Sequence, residues 1–237
     1  MKTLNNYIQE ALIKKDTKLL QYNYHPKDFN ELRSLLKKLL EERGKDANLN
    51  DIDVSQITTF YDDRNGKGLF HDLDPHNIKI DRWDISNVTD MTYTFFGCSN
   101  FTGNLSNWNV RNVKNMNNMF FLCQNFTGKS LENWTPIKCE NMASMFSDCE
   151  KLNCNLSKWD VSNVEDMHSM FSFCKKFNCN LSKWKVDNVE DMSYMFYNCT
   201  NFKGNGLENW KPIKCKKMNN MFDDCYSLKN YPSWYKE

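Results

Sequence analysis

Apolar residues recur along this chain with a period of about 25 residues. The seven tryptophans define the period, since they are separated by 25, 26, 25, 25, 26 and 24 residues. Each of the first six is followed by methionine after 8 residues, phenylalanine after 12 and cysteine after 15. Such a period is typical of repeat proteins, whose units bury their apolar edges only against one another. The tryptophans are Trp83, Trp108, Trp134, Trp159, Trp184, Trp210 and Trp234.

Two short elements are predicted in each repeat. The pattern Met-x-x-Met-Phe-x-x-Cys places apolar residues at offsets 0, 3, 4 and 7, which is one face of an α-helix, and a residue such as Asp90 precedes it as an N-cap. The segment from Leu105 through Trp108 to Val110 alternates as a short strand with one buried face does. The predicted fold class is α/β, a leucine-rich-repeat-like solenoid with a parallel β-sheet and short helices.

The repeats divide the chain into segments. Residues 83–237 hold six repeats and a terminal strand. Residues 49–82 are predicted to form a degenerate first repeat with a long loop, because residues 52–57 parallel residues 83–88.

Residues 1–48 precede the repeats and are predicted to form a helical cap, since a solenoid needs its end covered. Helices are expected over about residues 3–14 and 28–43. The second begins with a capping box from Asp28 to Glu31 and ends at Gly44.

The repeat that begins Trp159-Asp-Val-Ser-Asn-Val and continues Met-x-x-Met-Phe-x-x-Cys resembles the BspA-type leucine-rich-repeat family of bacterial surface proteins. The resemblance is strong over residues 83–234 and weak over residues 52–82. It implies a curved parallel-sheet solenoid that binds other macromolecules, often as an adhesin.

Composition and charge narrow the function classes. The chain carries 31 Lys and Arg against 30 Asp and Glu, so bulk electrostatic capture of nucleic acid or an anionic membrane is not expected. The balance is uneven, with a net charge of −5 over residues 46–81 and +4 over residues 167–237. Neither an export signal nor a membrane-spanning stretch is found, so a cytoplasmic protein with free thiols is predicted from the ten cysteines.

Candidate chemistry is sparse. His71 and His76 frame an acidic loop that has zinc-binding residue types, but their spacing matches no closed zinc site. No phosphate-binding loop, nucleophile elbow or zincin helix occurs. We therefore expect no enzyme activity, no metal, no cofactor and no small-molecule substrate.

The residues directly before and after each tryptophan vary from repeat to repeat, whereas the core positions hardly vary. Variation on a fixed scaffold is how a repeat protein acquires a specific surface, so a protein partner of unknown identity is predicted there. The candidate residues are Arg82, Asp84, Asn109, Lys158, Asp160, Lys183, Lys185 and Lys211.

Three functions are compatible with the sequence. One is an intracellular stoichiometric inhibitor or adaptor of a larger complex, for example in a conflict between a host and a mobile element. The others are a surface adhesin whose leader has been removed, and a nucleic-acid-binding protein that uses the basic C-terminal end.

Overall fold

The computed structural model describes residues 22–236. Regular secondary structure is scarce within that range, and most of the chain is built from consecutive turns. The elements are the helix α1 (Phe29–Arg43), the antiparallel strands β1 (Tyr61–Asp62) and β2 (Lys67–Gly68), and the 3-10 helices Val110–Asn112, Lys129–Leu131 and Leu207–Asn209.

Helix α1 confirms the predicted second helix. The Asp28 side chain accepts the backbone N–H of Glu31 at 2.9 Å, and the Glu31 carboxylate accepts the N–H of Lys27 at 2.9 Å. At the other end, Gly44 has a φ of 82° and donates its N–H to the Leu40 carbonyl. The helix predicted over residues 3–14 lies outside the described residues.

The apolar face of α1 covers the first coil of the repeat stack, and one arginine joins the two. Arg33 donates from its guanidinium to the carbonyl oxygens of Gly68, Leu69 and His71, at 2.7, 2.7 and 2.6 Å. These carbonyls lie at the N-terminal end of the stack, where no earlier coil accompanies them. The buried residues of α1 are Phe29, Leu32, Leu36, Leu39 and Leu40.

The long loop predicted in the first repeat contains the β1–β2 hairpin. Tyr61 pairs with Gly68 across it. Gly68 also lies so close to the next coil that a side-chain Cβ would fall 1.8 Å from the Tyr93 carbonyl oxygen. A larger residue at this position would therefore push the hairpin off the stack.

The short helix predicted in each repeat is wrong. Over residues 91–98 the backbone N–H groups of Thr94, Phe96 and Cys98 donate three residues back, as in β-turns. Tyr93 has a φ of 54°, in the left-handed region that an α-helix does not contain. The other repeats place a left-handed residue at the same position, namely Asn118, Ser144, Ser169, Tyr194 and Asn220.

The turns are joined from coil to coil by a ladder of backbone hydrogen bonds. Four N–H groups that the turns of one coil leave unused donate to four carbonyls of the next coil, at 2.7–3.0 Å. Parallel bridges link the residue before these turns in successive coils. The four-bond set is complete at five junctions, from residues 91–97 against 115–121 to residues 192–198 against 217–223.

The strand predicted around each tryptophan is also wrong. Leu105 and Trp108 close a turn, with the Trp108 N–H donating to the Leu105 carbonyl at 3.1 Å. The parallel pairing lies instead at the residue before the first methionine, as between Asp90 and Asn115. The predicted N-cap residues are thus ladder residues, whose side chains cap turns: Asp90 accepts the N–H of Thr92 at 2.8 Å.

The core consists of stacked columns of like side chains. The phenylalanine rings of adjacent coils stack with centroids 5.0–5.8 Å apart, from Phe70 to Phe222. Every tryptophan donates its indole N–H to a leucine or isoleucine carbonyl of the preceding coil, at 2.7–3.0 Å. The core is therefore ordered by hydrogen bonds as well as by burial.

Candidate interaction surfaces

The residues beside the tryptophans are exposed, as a surface role requires. Three of them also hold their own backbone, since Asp84, Asn109 and Asp160 each accept the N–H two residues further on, at 3.0–3.4 Å. Their side chains are therefore partly committed to the turn after the tryptophan. The candidates, all at least partly exposed, are Arg82, Asp84, Asn109, Lys158, Asp160, Lys183, Lys185 and Lys211.

The four lysines of this set form its basic part. Hydrogen bonds to Ser162 and then the charge of Lys185 lower the pKa of Asp160 in the adjacent coil. Within residues 22–236 none of the four lysines makes a direct ion pair. Their ammonium groups therefore remain available to an acidic partner. The four are Lys158, Lys183, Lys185 and Lys211.

A groove of about 490 Å³ runs beside Lys183. Cys154 and Cys179 lie in it, and Glu132 closes one side. Burial raises the pKa of both thiols, so they stay protonated and are poor nucleophiles. The remaining lining is made of amides and hydroxyls, from Asn153, Asn155, Ser157, Asn178, Asn180 and Ser182.

All ten cysteines are free thiols, and nine are buried. In the cysteine column each Sγ faces a phenylalanine carbonyl of the preceding coil, as for Cys123 and Phe95 at 3.0 Å. Among the described residues there is no group of three or more His, Cys, Asp or Glu residues that could hold a metal ion. His71 and His76 instead lie beside Asp72 and Asp74, at 3.4 and 3.8 Å.

Sequence reasoning missed the aromatic side chains on the outer face of the ladder. They stand 10, 13 and 14 residues after a tryptophan, at positions that the helix prediction spread around a cylinder. The turns bring them onto one side of each coil. Only their residue types signalled them, because aromatic side chains at outward positions are unusual for a solvated face.

These aromatic residues form two clusters. In the N-terminal aromatic cluster, consisting of Tyr61, Tyr93, Phe96 and Phe121, neighbouring rings lie 5.1–6.0 Å apart. In the C-terminal aromatic cluster, consisting of Phe173, Tyr194 and Tyr197, they lie 5.2 and 5.8 Å apart. The coils between the clusters carry Ser144, Ser147, Ser169 and Ser172 at matching positions.

The C-terminal aromatic cluster is the more exposed in its central ring. Tyr194 is 36% exposed and packs edge-on against His168, with ring centroids 6.0 Å apart. One coil further on, Tyr226 is 78% exposed and donates its hydroxyl to the Asp224 carboxylate at 2.7 Å. Apolar rings with polar tips are thus presented over successive coils.

Comparison with known proteins gives one family. No curated protein and no solved structure matches the chain. In the part of the chain that the structure describes, no helix is long and apolar enough to cross a membrane. A family model described as "Mycoplasma protein of unknown function, DUF285" matches residues 35–135, 64–158 and 122–234, in overlapping segments that together cover most of the chain. The chain therefore belongs to the DUF285 family.

Proposed function

We propose that this chain is a protein-binding module without catalytic activity, and that the C-terminal aromatic cluster is the centre of its contact surface. The single observation that carries the proposal is the set of partly exposed rings of Phe173, Tyr194 and Tyr197 on a face where neighbouring coils carry serine. Tyrosine and other aromatic residues are enriched in the cores of protein interfaces.

The scaffold under the cluster supports this role. The backbone N–H groups of Phe173 and Tyr194 donate into the ladder at 2.8 and 3.0 Å, so the rings project from a fixed backbone. A surface that is ordered before binding loses less conformational entropy when the partner arrives. The exposed lysines beside the tryptophans would add electrostatic steering toward an acidic partner.

The thiol chemistry supports a role without catalysis. Burial raises the pKa of all nine buried cysteines, whereas a catalytic thiol needs a lowered pKa and a nearby base. Among residues 22–236 no histidine lies within hydrogen-bonding distance of a cysteine.

The same thiols favour a reducing compartment, because oxidation of packed cysteines would force the coils apart. We therefore propose action inside the cell, as a stoichiometric inhibitor or adaptor, rather than as an adhesin. We also propose that the repeat stack is a leucine-rich-repeat-like solenoid, in line with its resemblance to BspA-type repeats.

The test replaces the cluster with the residues that other coils carry. The double variant Tyr194→Ser/Tyr197→Ser copies the pattern of Ser169 and Ser172, so it should fold. Proteins that co-purify from the native cell with the wild-type chain are identified, and the best candidate is titrated in purified form. We expect the double variant to lose at least about tenfold in affinity.

The matched control is Lys158→Gln/Lys183→Gln, which changes another exposed surface and should retain the partner. If the purified partner binds the tyrosine variant as tightly as the wild type, the proposal is wrong. Recovery of nucleic acid in place of protein, with binding that falls steeply as salt rises, would also refute it.

A further inference from the structure

The last coil of the repeat stack presents four backbone donors that have no acceptor. In each earlier coil the equivalent N–H groups, such as those of Met192 and Tyr194, donate to the next coil. Within the described residues no coil follows the last one, and its four donors make no hydrogen bond. We call this row the amide edge: the backbone N–H groups of Met218, Asn220, Phe222 and Asp224.

The amide edge is electropositive by construction. Because the N–H groups of each four-bond set point toward the C-terminal end of the stack, their peptide dipoles add along its axis, as in a helix. Side-chain charge has the same sign, since residues 210–236 hold six lysines against two aspartates, a net charge of +4. Backbone and side chains therefore both favour an anionic, acceptor-rich occupant.

The apolar end of the core is already covered, in contrast to the amide edge. The ring of Phe222 packs against Tyr231 at 5.7 Å and Tyr235 at 4.9 Å. Trp234 donates its indole N–H to the Leu207 carbonyl at 2.7 Å. An occupant is therefore needed by the backbone donors and not by an exposed hydrophobic core.

A second copy of this chain is a poor occupant. Its own C-terminal edge offers the same donors, and donors cannot pair with donors. At its N-terminal edge, the carbonyls of Gly68, Leu69 and His71 already accept from Arg33, and α1 covers that end. The complement to the amide edge must come from a different chain.

We infer that the amide edge binds an extended acidic segment of a partner protein, which adds to the stack as one further length of parallel ladder. Its backbone carbonyls accept from the four N–H groups, as in the addition of a strand to a sheet edge. Its carboxylates pair with Lys211, Lys214 and Lys229, which are exposed and make no ion pair within residues 22–236. This site goes beyond the aromatic surface proposed above.

Hydrogen exchange of single amides by NMR tests the site directly. The probe is a capped dodecapeptide of alternating glutamate and valine. In the free protein we expect the amide edge to exchange at least about 100-fold faster than the equivalent N–H groups of Met192, Tyr194, Phe196 and Asn198. Added peptide should slow the edge amides and leave those of the earlier coil unchanged.

Two variants give the affinity test. Met218→Pro removes one edge donor without breaking a hydrogen bond inside the described chain. Lys211→Gln/Lys214→Gln/Lys229→Gln removes the charges and leaves the backbone intact. We expect each to weaken peptide binding about tenfold, as loss of a charge-assisted contact does. Lys158→Gln/Lys183→Gln is the matched charge control and should bind normally.

Each other outcome overturns the inference. Unchanged exchange at the amide edge means that the site does not bind acidic segments. Equal protection by a lysine–valine peptide excludes charge recognition, and protection by an oligothymidylate alone assigns the edge to nucleic acid. Protection that rises with protein concentration without peptide assigns it to a second copy. Tyr194→Ser/Tyr197→Ser should not affect peptide binding, so the two surfaces fail independently.

Discussion

Replacing Arg33 with methionine should uncouple α1 from the repeat stack. The substitution keeps most of the aliphatic stem that packs on the first coil and removes the guanidinium. Three carbonyl oxygens, those of Gly68, Leu69 and His71, then lose charge-assisted hydrogen bonds of 2.6–2.7 Å. No later coil can replace these donors, because this is the N-terminal end of the ladder.

The expected cost follows from the geometry. Hydrogen bonds to charged groups contribute about 1.5–3 kcal/mol each, but Arg33 is only partly buried and water will reach some of the exposed carbonyls. About 1 kcal/mol for each carbonyl gives a loss of about 3 kcal/mol in the free energy of unfolding. A loss of that size is a large fraction of the stability of an ordinary domain.

Urea unfolding followed by tryptophan fluorescence measures the loss, and hydrogen exchange by mass spectrometry locates it. Exchange should rise in peptides from residues 22–82 and stay unchanged in peptides from residues 192–225, since repeat stability is carried by neighbours. Arg33→Lys should recover about one third of the loss. Lys37→Met, at an exposed position of the same helix, should change stability by less than about 0.5 kcal/mol. An Arg33→Met protein within that margin of wild type would refute the capping role.

Three further predictions concern the core and the charges. Trp159→Phe removes the indole hydrogen bond of 2.9 Å to the buried Leu131 carbonyl, and chemical denaturation should show a loss of about 2–4 kcal/mol. Burial raises the pKa of every thiol, but Cys215 is only half buried, so it should react first with Ellman's reagent at about pH 8; rapid reaction of several thiols in the native protein would contradict this. A hydrogen bond from Arg43 lowers the pKa of Asp51, so its stabilisation is complete above about pH 4 and is lost as pH falls through the folded-state pKa. Asp51→Asn should therefore flatten the acid limb of the stability curve.

The repeat register and the core columns could be predicted from the sequence, because few architectures besides a repeat stack produce a period carried by large apolar residues. The buried tryptophans, methionines, phenylalanines and cysteines lie where the pattern put them. Helix α1 was also predictable, since Asp28 and Gly44 mark its ends by local chemistry that depends on no distant residue.

The local conformation of each repeat could not be predicted in the same way. Offsets of 0, 3, 4 and 7 bring side chains to one side in an α-helix, and a chain of turns closed three residues back does so as well. The difference lies in the N–H groups of residues such as Tyr93 and Phe95, which donate to the next coil and not four residues back. That choice depends on a neighbour about 25 residues away, and local periodicity carries no information about it.

The candidate surface depended on the same choice. A helix would have distributed Phe173, Tyr194 and Tyr197 away from a common face, whereas left-handed residues at every turn align them. The exposed residues beside the tryptophans were predictable, because a buried tryptophan leaves its neighbours outside in either conformation.

The direction of the ladder explains why the two ends of the stack need different treatment. In each four-bond set the N–H groups belong to one coil and the carbonyls to the next, so the first coil is left with acceptors and the last with donors. A cation satisfies acceptors, and Arg33 supplies it from α1. Donors need an anion or a carbonyl, and lysine cannot provide either, yet lysine predominates among the charged residues of the last coil. A coil that only had to be sealed would carry acidic side chains there. The excess of lysine thus favours a last coil whose acceptors arrive with another molecule.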